Sequence, residues 1–226
     1  MNRIQAFGVL SVVALVSGCA SPGPKTAGGS GSGPRATAMS FFVTSSNPGK
    51  GGNLGGLAGA DAYCQKLATA VGAGKKTWHA FLSTSTVNAK DRIGKGPWAN
   101  VKGVQVAKNV ADLLGATNNQ INASTALTEQ GKAPNYLGGN PPAPLAQPLQ
   151  HDIMTGTNDN GTATANTCNN WTSGGDDVKT TLGHADRLGR NPGVNSWTNA
   201  HDSQGCSLEK LAPTGSAGLI YCFAVN

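Results

Sequence analysis

Residues 53–71 read NLGGLAGADAYCQKLATAV. From Leu57 onward the apolar positions are Leu57, Ala60, Cys64, Leu67 and Val71, in steps of three, four, three and four. That spacing makes one stripe of an amphipathic α-helix and puts Cys64 on its buried side. At the far end of the chain, Gly218–Val225 (GLIYCFAV) is a short apolar run that reads as a terminal core strand carrying Cys222. Ser40–Thr44 (SFFVT) and Thr77–Ser83 (TWHAFLS) read as further strands. Val104–Leu114 (VQVAKNVADLL) reads as a strand turning into a short helix that stops at Gly115. From 115 to 217 the chain is mostly Gly, Asn, Thr, Pro and Ser, expected to be long loops with Trp171 and Trp197 as isolated anchors.

Composition supports one loop-rich domain. Of 226 residues, 32 are Gly and 12 are Pro, while charged residues are only 12% and aromatics 5%. This excludes a coiled coil or helical bundle, which would be rich in Ala, Glu, Lys and Leu. It also excludes a wholly disordered chain, because 38% hydrophobic residues with a net charge of +6 can still build a core.

The N-terminus reads as an export signal. Arg3 precedes the apolar run Phe7–Val16 (FGVLSVVALV), half of the roughly 20 residues that a membrane-spanning helix needs. Val16-Ser17-Gly18-Cys19 then resembles a bacterial lipobox. That resemblance implies cleavage before Cys19 and acylation of its thiol. With Ala20 rather than Asp next, it also implies sorting to the outer membrane of a Gram-negative cell. The expected organisation is a signal peptide over 1–18, a lipidated Gly/Ser/Pro tether over 19–39, and one domain over 40–226. With Cys19 set aside, Cys64, Cys168, Cys206 and Cys222 are an even set in an exported chain. No CxxC pair exists, so two disulfides are expected rather than a zinc site, and three connectivities are open.

Several blocks together resemble one family. Asn53-Leu54-Gly55-Gly56-Leu57, Gly59-Ala60-Asp61, Cys64-Gln65 and Trp78-His79-Ala80-Phe81-Leu82-Ser83 resemble bacterial endostatin-like lipoproteins, which include surface proteins of spirochaetes. Cys168-Asn169-Asn170-Trp171-Thr172-Ser173, Ser196-Trp197-Thr198, Cys206 and Leu219-Ile220-Tyr221-Cys222-Phe223 follow in the same order. The resemblance spans roughly residues 40–226. It implies an α+β, C-type-lectin-like (endostatin-like) fold: short helices, a small twisted and mostly antiparallel sheet, and long loops. It further implies the pairs Cys64–Cys222 and Cys168–Cys206. Its relatives imply a non-enzymatic, adhesion-type role toward extracellular-matrix or complement proteins, or toward acidic glycans. A structural envelope protein without a soluble ligand is the alternative.

Fold membership does not give chemistry, so the site residues are read on their own terms. The stretch 49–59 (GKGGNLGGLAG) fits neither GxGxxG nor GxxxxGK[ST] and is expected to be a structural turn. Three histidines have an Asp nearby: His151-Asp152, His184 with Asp186, and His201-Asp202. Such a pair can orient a general base, but no GxSxG nucleophile accompanies it. A hydrolase is therefore the last choice, and the histidines are expected to be hydrogen-bonded or at the surface. Asn158-Asp159-Asn160-Gly161 has part of a calcium loop without its bidentate Glu and is expected to be a turn, leaving a weak site at Asp159 open. The triplets Glu-Pro-Asn and Gln-Pro-Asp of calcium-dependent sugar-binding lectins are absent, since Gln147-Pro148-Leu149 departs from them at the carboxylate. No metal and no cofactor are expected. Charge is more telling. Residues 75–108 hold Lys75, Lys76, Lys90, Arg92, Lys95, Lys102 and Lys108 against one acid, Asp91, and the rest of the chain balances ten basic against ten acidic residues. A concentrated field of this kind suits an acidic ligand. Lys90, Arg92, Lys95 and Lys102, with Trp171 as a stacking surface, are the candidate binding residues. A lipid-anchored chain is not expected to bind nucleic acid.

Overall fold

The computed structural model describes residues 38–115, 119–138, 148–188 and 195–226. The expected signal peptide 1–18, Cys19, residues 20–37 of the tether, and Gln147 lie outside them. The strands are β1 (Phe41–Val43), β2 (Trp78–Ala80), β3 (Trp98–Ala99), β4 (Gln105–Ala107), β5 (Asp152–Met154), β6 (Thr181–His184), β7 (His201–Asp202), β8 (Ser216–Leu219) and β9 (Tyr221–Ala224). The helices are α1 (Gly56–Ala70), α2 (Val110–Leu114) and α3 (Leu208–Leu211), with single 3₁₀ turns at Ala89–Asp91 and Ala212–Thr214. Among the described residues no helix is long and apolar enough to cross a membrane.

The terminal strand β9 lies between β1 and β2, antiparallel to both, with Phe42 and Ala80 each opposite Cys222. Side chains alternate across a strand, so this three-stranded sheet feeds two cores. Phe42, Trp78, Ala80, Cys222 and Ala224 enter one, together with Ala60, Cys64 and Ala68 of α1. Phe41, Val43, Tyr221 and Phe223 enter the other, with Phe81, Trp98 and Trp197. Phe223 is the hub of that second core, with ring centroids 5.0 Å from Phe41, 5.2 Å from Trp98 and 5.8 Å from Phe81. Three buried indole N–H groups are satisfied by carbonyls: Trp78 donates to Ala73, Trp98 to Ala224 and Trp171 to Ser83.

The helix read from the Cys64 stripe is α1, and the expected strands at 40–44, 77–83 and 218–225 contain β1, β2 and β9. Val104–Leu114 contains β4 and α2, and Asn109 caps α2 by accepting from the Asp112 N–H at 2.9 Å. The long loop expected over 115–217 is corrected. It contributes β5, β6 and β7, which with β8 form a four-stranded sheet in the order β7-β6-β5-β8, with only β5 and β8 parallel. Each of these strands has two to four residues, so no periodicity accumulates, and the sheet exists only through pairing between distant segments. The result is an α+β arrangement of short helices and small, mostly antiparallel sheets.

Two disulfides staple it. Cys64–Cys222 ties α1 to β9, and Cys168–Cys206 closes a shorter loop, the same pairs that the family resemblance implies. The Gly-rich stretch 49–59 docks on the second bridge. The Gly52 N–H donates to the Cys206 carbonyl at 2.8 Å, and a Cβ on Gly52 would lie 2.3 Å from the Cys168 sulfur. Its glycines permit close backbone approach to a disulfide and cradle no phosphate. Cys168–Trp171 is a left-handed turn with φ of 50, 54, 56 and 66° at four successive non-glycine residues. That conformation costs an L-residue about 1–2 kcal/mol each. It is held by the disulfide at Cys168, by the buried Trp171, and by Asn170 Oδ1 accepting the Ser85 N–H at 2.8 Å.

The bridges span 158 and 38 residues of sequence. In the chain-entropy account a longer loop gives the larger stabilisation. Replacing Cys64 and Cys222 together with Ala is therefore expected to lower the unfolding free energy by about 1 kcal/mol more than replacing Cys168 and Cys206, as measured by urea titration.

Candidate functional site

Two regions bring chemically capable side chains together. The first lies at one end of the β1-β9-β2 sheet. A groove of about 620 Å³ is lined by Lys76 and Lys95, by the backbone of Gly94–Ala99, by Gln105 and by residues 224–226, with no Asp or Glu among its lining residues. Lys76 Nζ donates to the carbonyls of Met39 at 2.8 Å and Ala38 at 3.5 Å, which leaves one N–H for a ligand. Partial burial lowers the Lys76 ammonium below its ordinary value, and an anion in the groove would oppose that shift.

This groove takes only part of the expected basic cluster. Lys95 lines it, and Lys102 is exposed on the β3–β4 turn beside the lining residue Gly103. Lys90 is elsewhere: its stem covers Gly161 of the 158–161 turn. Arg92 and Trp171 are corrected as ligand-binding candidates. The Arg92 guanidinium is committed to Asp61, with NH2 to Oδ2 at 2.6 Å and NH1 to Oδ1 at 3.2 Å, and it also donates to the Ala80 carbonyl. Asp61 in turn accepts the Ala80 N–H at 2.8 Å, so the pair locks α1 to β2. Trp171 has no exposed surface and stacks on nothing outside the protein. Trp197 is likewise buried, 4.8 Å from Phe81. Asp159 is occupied by hydroxyl donors from Ser196 and Thr198, and Asn158–Gly161 is a turn closed by the Gly161 N–H on the Asn158 carbonyl.

The second region is a buried cluster in the sheet that the sequence did not reveal. Asp152 opens β5 and sits opposite His184, the last residue of β6. His201 opens β7 opposite Leu182, two residues from His184 and so on the same face. His151 immediately precedes β5. Around the fully buried Asp152 carboxylate, Oδ1 lies 3.1 Å from His184 Nε2 and 3.3 Å from His151 Nε2, and Oδ2 lies 3.3 Å from His201 Nε2. The His151 and His184 rings stack with centroids 4.6 Å apart, and His201 stands edge-on to His184 at 5.1 Å. Ligand-type atoms of His151, Asp152 and His184 all lie within 4.8 Å of one another.

The surroundings fix this arrangement. Asp186, also buried, accepts from His151 Nδ1 at 3.2 Å and from the N–H groups of Leu137 and Leu188. His201 Nδ1 faces the Asp202 carbonyl at 3.2 Å. Burial alone would raise the Asp152 carboxyl, yet the contacts with His184 and His201 and the charge of His151 hold it down at about 2. Contact with Asp152 raises the His201 imidazole above its ordinary value, against the opposing effect of burial. Burial likewise acts to raise Asp186, and the contact with His151 and the two backbone N–H groups outweigh it.

Two of the three sequence-local pairs are thus exchanged for spatial ones, while His151 keeps its contact with Asp152 and adds Asp186. His184 and His201 both turn to Asp152, while Asp186 takes His151 and the Asp202 carboxylate takes Thr181 and Asn166. The available signal was that three of the four histidines fall between 151 and 201, each within two residues of an Asp. Among the described residues, no Ser or Thr hydroxyl is hydrogen-bonded to any of the three imidazoles. Ser216 Oγ, the nearest by connectivity, donates instead to the Asp152 main-chain carbonyl. Among the described residues the cluster thus shows no Ser-to-His hydrogen bond of the kind a Ser-His-Asp hydrolase uses.

The family described as "Protein of unknown function (DUF1554)" matches residues 47–188, well over half of the chain, and the chain belongs to that family. The matched segment includes α1, β2, β5 and β6, with His151, Asp152, His184 and Asp186, and it stops before His201. No curated protein matches the chain.

Because Arg92 is spent on an internal ion pair whose side chains are 12% and 22% exposed, its removal should act on stability. Arg92→Ala is expected to lower the urea-unfolding free energy by about 1–3 kcal/mol, since it leaves Asp61 and the Ala80 carbonyl short of a donor. Lys95→Ala, at an exposed position, should change it by less than about 0.5 kcal/mol.

Proposed function

We propose that this DUF1554 chain is a non-enzymatic, adhesion-type binding module with an endostatin-like, C-type-lectin-like fold, displayed from the outer membrane on a lipid at Cys19. Its ligands on this reading are acidic extracellular molecules, with sulfated glycan the class that the groove favours. The observation that carries the reading is the groove itself. Lys76 and Lys95 face a space of about 620 Å³ that no carboxylate side chain lines, in the 75–108 segment that holds the chain's whole net charge. Two ammonium groups with exposed backbone between them suit a polymer carrying repeated sulfates, which needs spaced point charges more than a deep pocket. The short helices, small mostly antiparallel sheets and two disulfides agree with the fold that the sequence resemblance implies, and the lipobox-like segment supports the anchor.

The binding test is retention on a heparin surface at low and high salt. Affinity is expected to fall steeply between 50 and 300 mM NaCl, as screening of exposed charges requires. Lys76→Gln combined with Lys95→Gln should weaken low-salt binding about tenfold, while Lys90→Gln, outside the groove, leaves it unchanged. Equal binding by all variants, or binding indifferent to salt, would remove the groove as the site. For the anchor, metabolic labelling with palmitate is expected to mark the wild-type chain and to be lost in Cys19→Ala.

A further inference from the structure

We infer that His151, Asp152, His184 and His201 form a binding site for a divalent transition-metal ion of the zinc class, with the three Nε2 atoms and the Asp152 carboxylate as ligands. The first argument is distance without hydrogen bonding. The Nε2 atoms stand 3.1–3.3 Å from the carboxylate oxygens. Yet both Asp152 oxygens and both ring nitrogens of His184 are buried with no hydrogen-bond partner. Close polar atoms that do not point at one another are what ligands around a common centre present. With metal–ligand bonds of about 2.0–2.2 Å, neighbouring ligand atoms fall roughly 2.9–3.5 Å apart, depending on coordination number.

The second argument is proton placement. His151 Nδ1 faces the Asp186 carboxylate and His201 Nδ1 faces the Asp202 carbonyl, both acceptors, so each Nδ1 carries the ring proton. That leaves the Nε2 lone pairs of His151 and His201 directed into the cluster, toward an anion. A cation placed between these lone pairs and the buried carboxylate would be held by both. A His ligand whose other nitrogen is held by a carboxylate or carbonyl is also the usual outer arrangement of a bound metal.

The donor set selects the class of ion. Three imidazole nitrogens with one carboxylate suit zinc and its first-row neighbours, whereas calcium and magnesium take oxygen ligands. His151, Asp152 and His184, all buried, already lie within ligand range of one another, and the partly exposed His201, 3.3 Å from Asp152 Oδ2, would swing in as the fourth ligand to close a structural site. The ligands come from β5 and the residue before it, β6 and β7, so the ion would pin together three strands of only two to four residues. The fold also leaves room for the His151 ring: Gly215, at φ 101°, has no Cβ, and one there would lie 2.9 Å from His151 Nε2.

The test uses the full chain, purified without a polyhistidine tag, stripped with a chelator and then titrated with Zn(II) or Co(II). One equivalent of Zn(II) is expected to bind with submicromolar Kd and to raise the Tm, and Co(II) should give the visible absorption of a nitrogen- and oxygen-ligated centre. Asp186→Asn should weaken Zn(II) binding about 10–100-fold by releasing His151 Nδ1, and His184→Ala should abolish it. Imidazole NMR of the wild-type chain decides the matter even if these variants fail to fold. The chain has four histidines, and His79 is engaged with the Arg92 carbonyl, so three imidazoles should respond to Zn(II) and His79 should not. No stoichiometric uptake by the folded, disulfide-bonded chain would overturn the inference, as would uptake that leaves the three imidazoles unchanged. Either result would leave the glycan-binding reading untouched.

Discussion

The central strand β9 is the constraint on which the domain depends. It pairs on both edges, with β1 from the start of the domain and β2 from the segment after α1, and its alternating side chains feed two separate cores. Cys222 in its middle is bonded to Cys64 in the middle of α1, so the strand cannot leave the sheet without dragging the helix with it. Since β9 lies at the far end of the sequence, the sheet closes only after the chain between has been laid down, a topology of non-local pairings that folds slowly. The second bridge does for the loop-rich half what the first does for the sheet. Cys168–Cys206 holds a strained left-handed turn on one side and the Gly51–Gly52 backbone on the other.

The four-stranded sheet adds a different kind of interaction. Its strands are too short to be specified by hydrophobic alternation; Met154, Leu182, Ile153 and Leu219 enter the two apolar cores, while at one end of the sheet a buried carboxylate is ringed by three imidazoles. Buried polar atoms without partners cost about 1–3 kcal/mol each. On the inferred metal site, an ion would satisfy the Asp152 oxygens and His184 Nε2 together, with Asp186 and the Asp202 carbonyl as the groups that orient its ligands. The four-stranded sheet then stands beside the disulfide-bonded one as a second means of holding a chain that is poor in long elements.

Charge in the 75–108 segment divides between structure and surface. Arg92 ties α1 to β2 through Asp61, and Lys90 covers a glycine in a neighbouring turn. Lys76 and Lys95 are left to shape a groove, with Lys102 exposed beside it. A run of basic residues in sequence is thus not one patch, because neighbouring positions in short strands and turns point in different directions. The proposed binding role rests on the lysines that remain at the groove after the internal pairings have been made.

The sequence by itself determined the features set by local pattern. The three-and-four spacing around Cys64 defined α1, the apolar runs defined β1, β2 and β9, and the absence of CxxC turned four cysteines into disulfides. These are legible because periodicity and spacing are properties of contiguous residues. Only the tertiary structure decided the rest. His151, His184 and His201 each had an Asp beside them in sequence, but the carboxylate that gathers all three is Asp152, and it does so because β5, β6 and β7 pair in register. Trp171, read in sequence as an anchor and also named as a stacking surface, is buried by the left-handed turn at Cys168. In both cases the deciding quantity is a distance between residues remote along the chain. Strands of two to four residues leave no local trace of which partner they will meet.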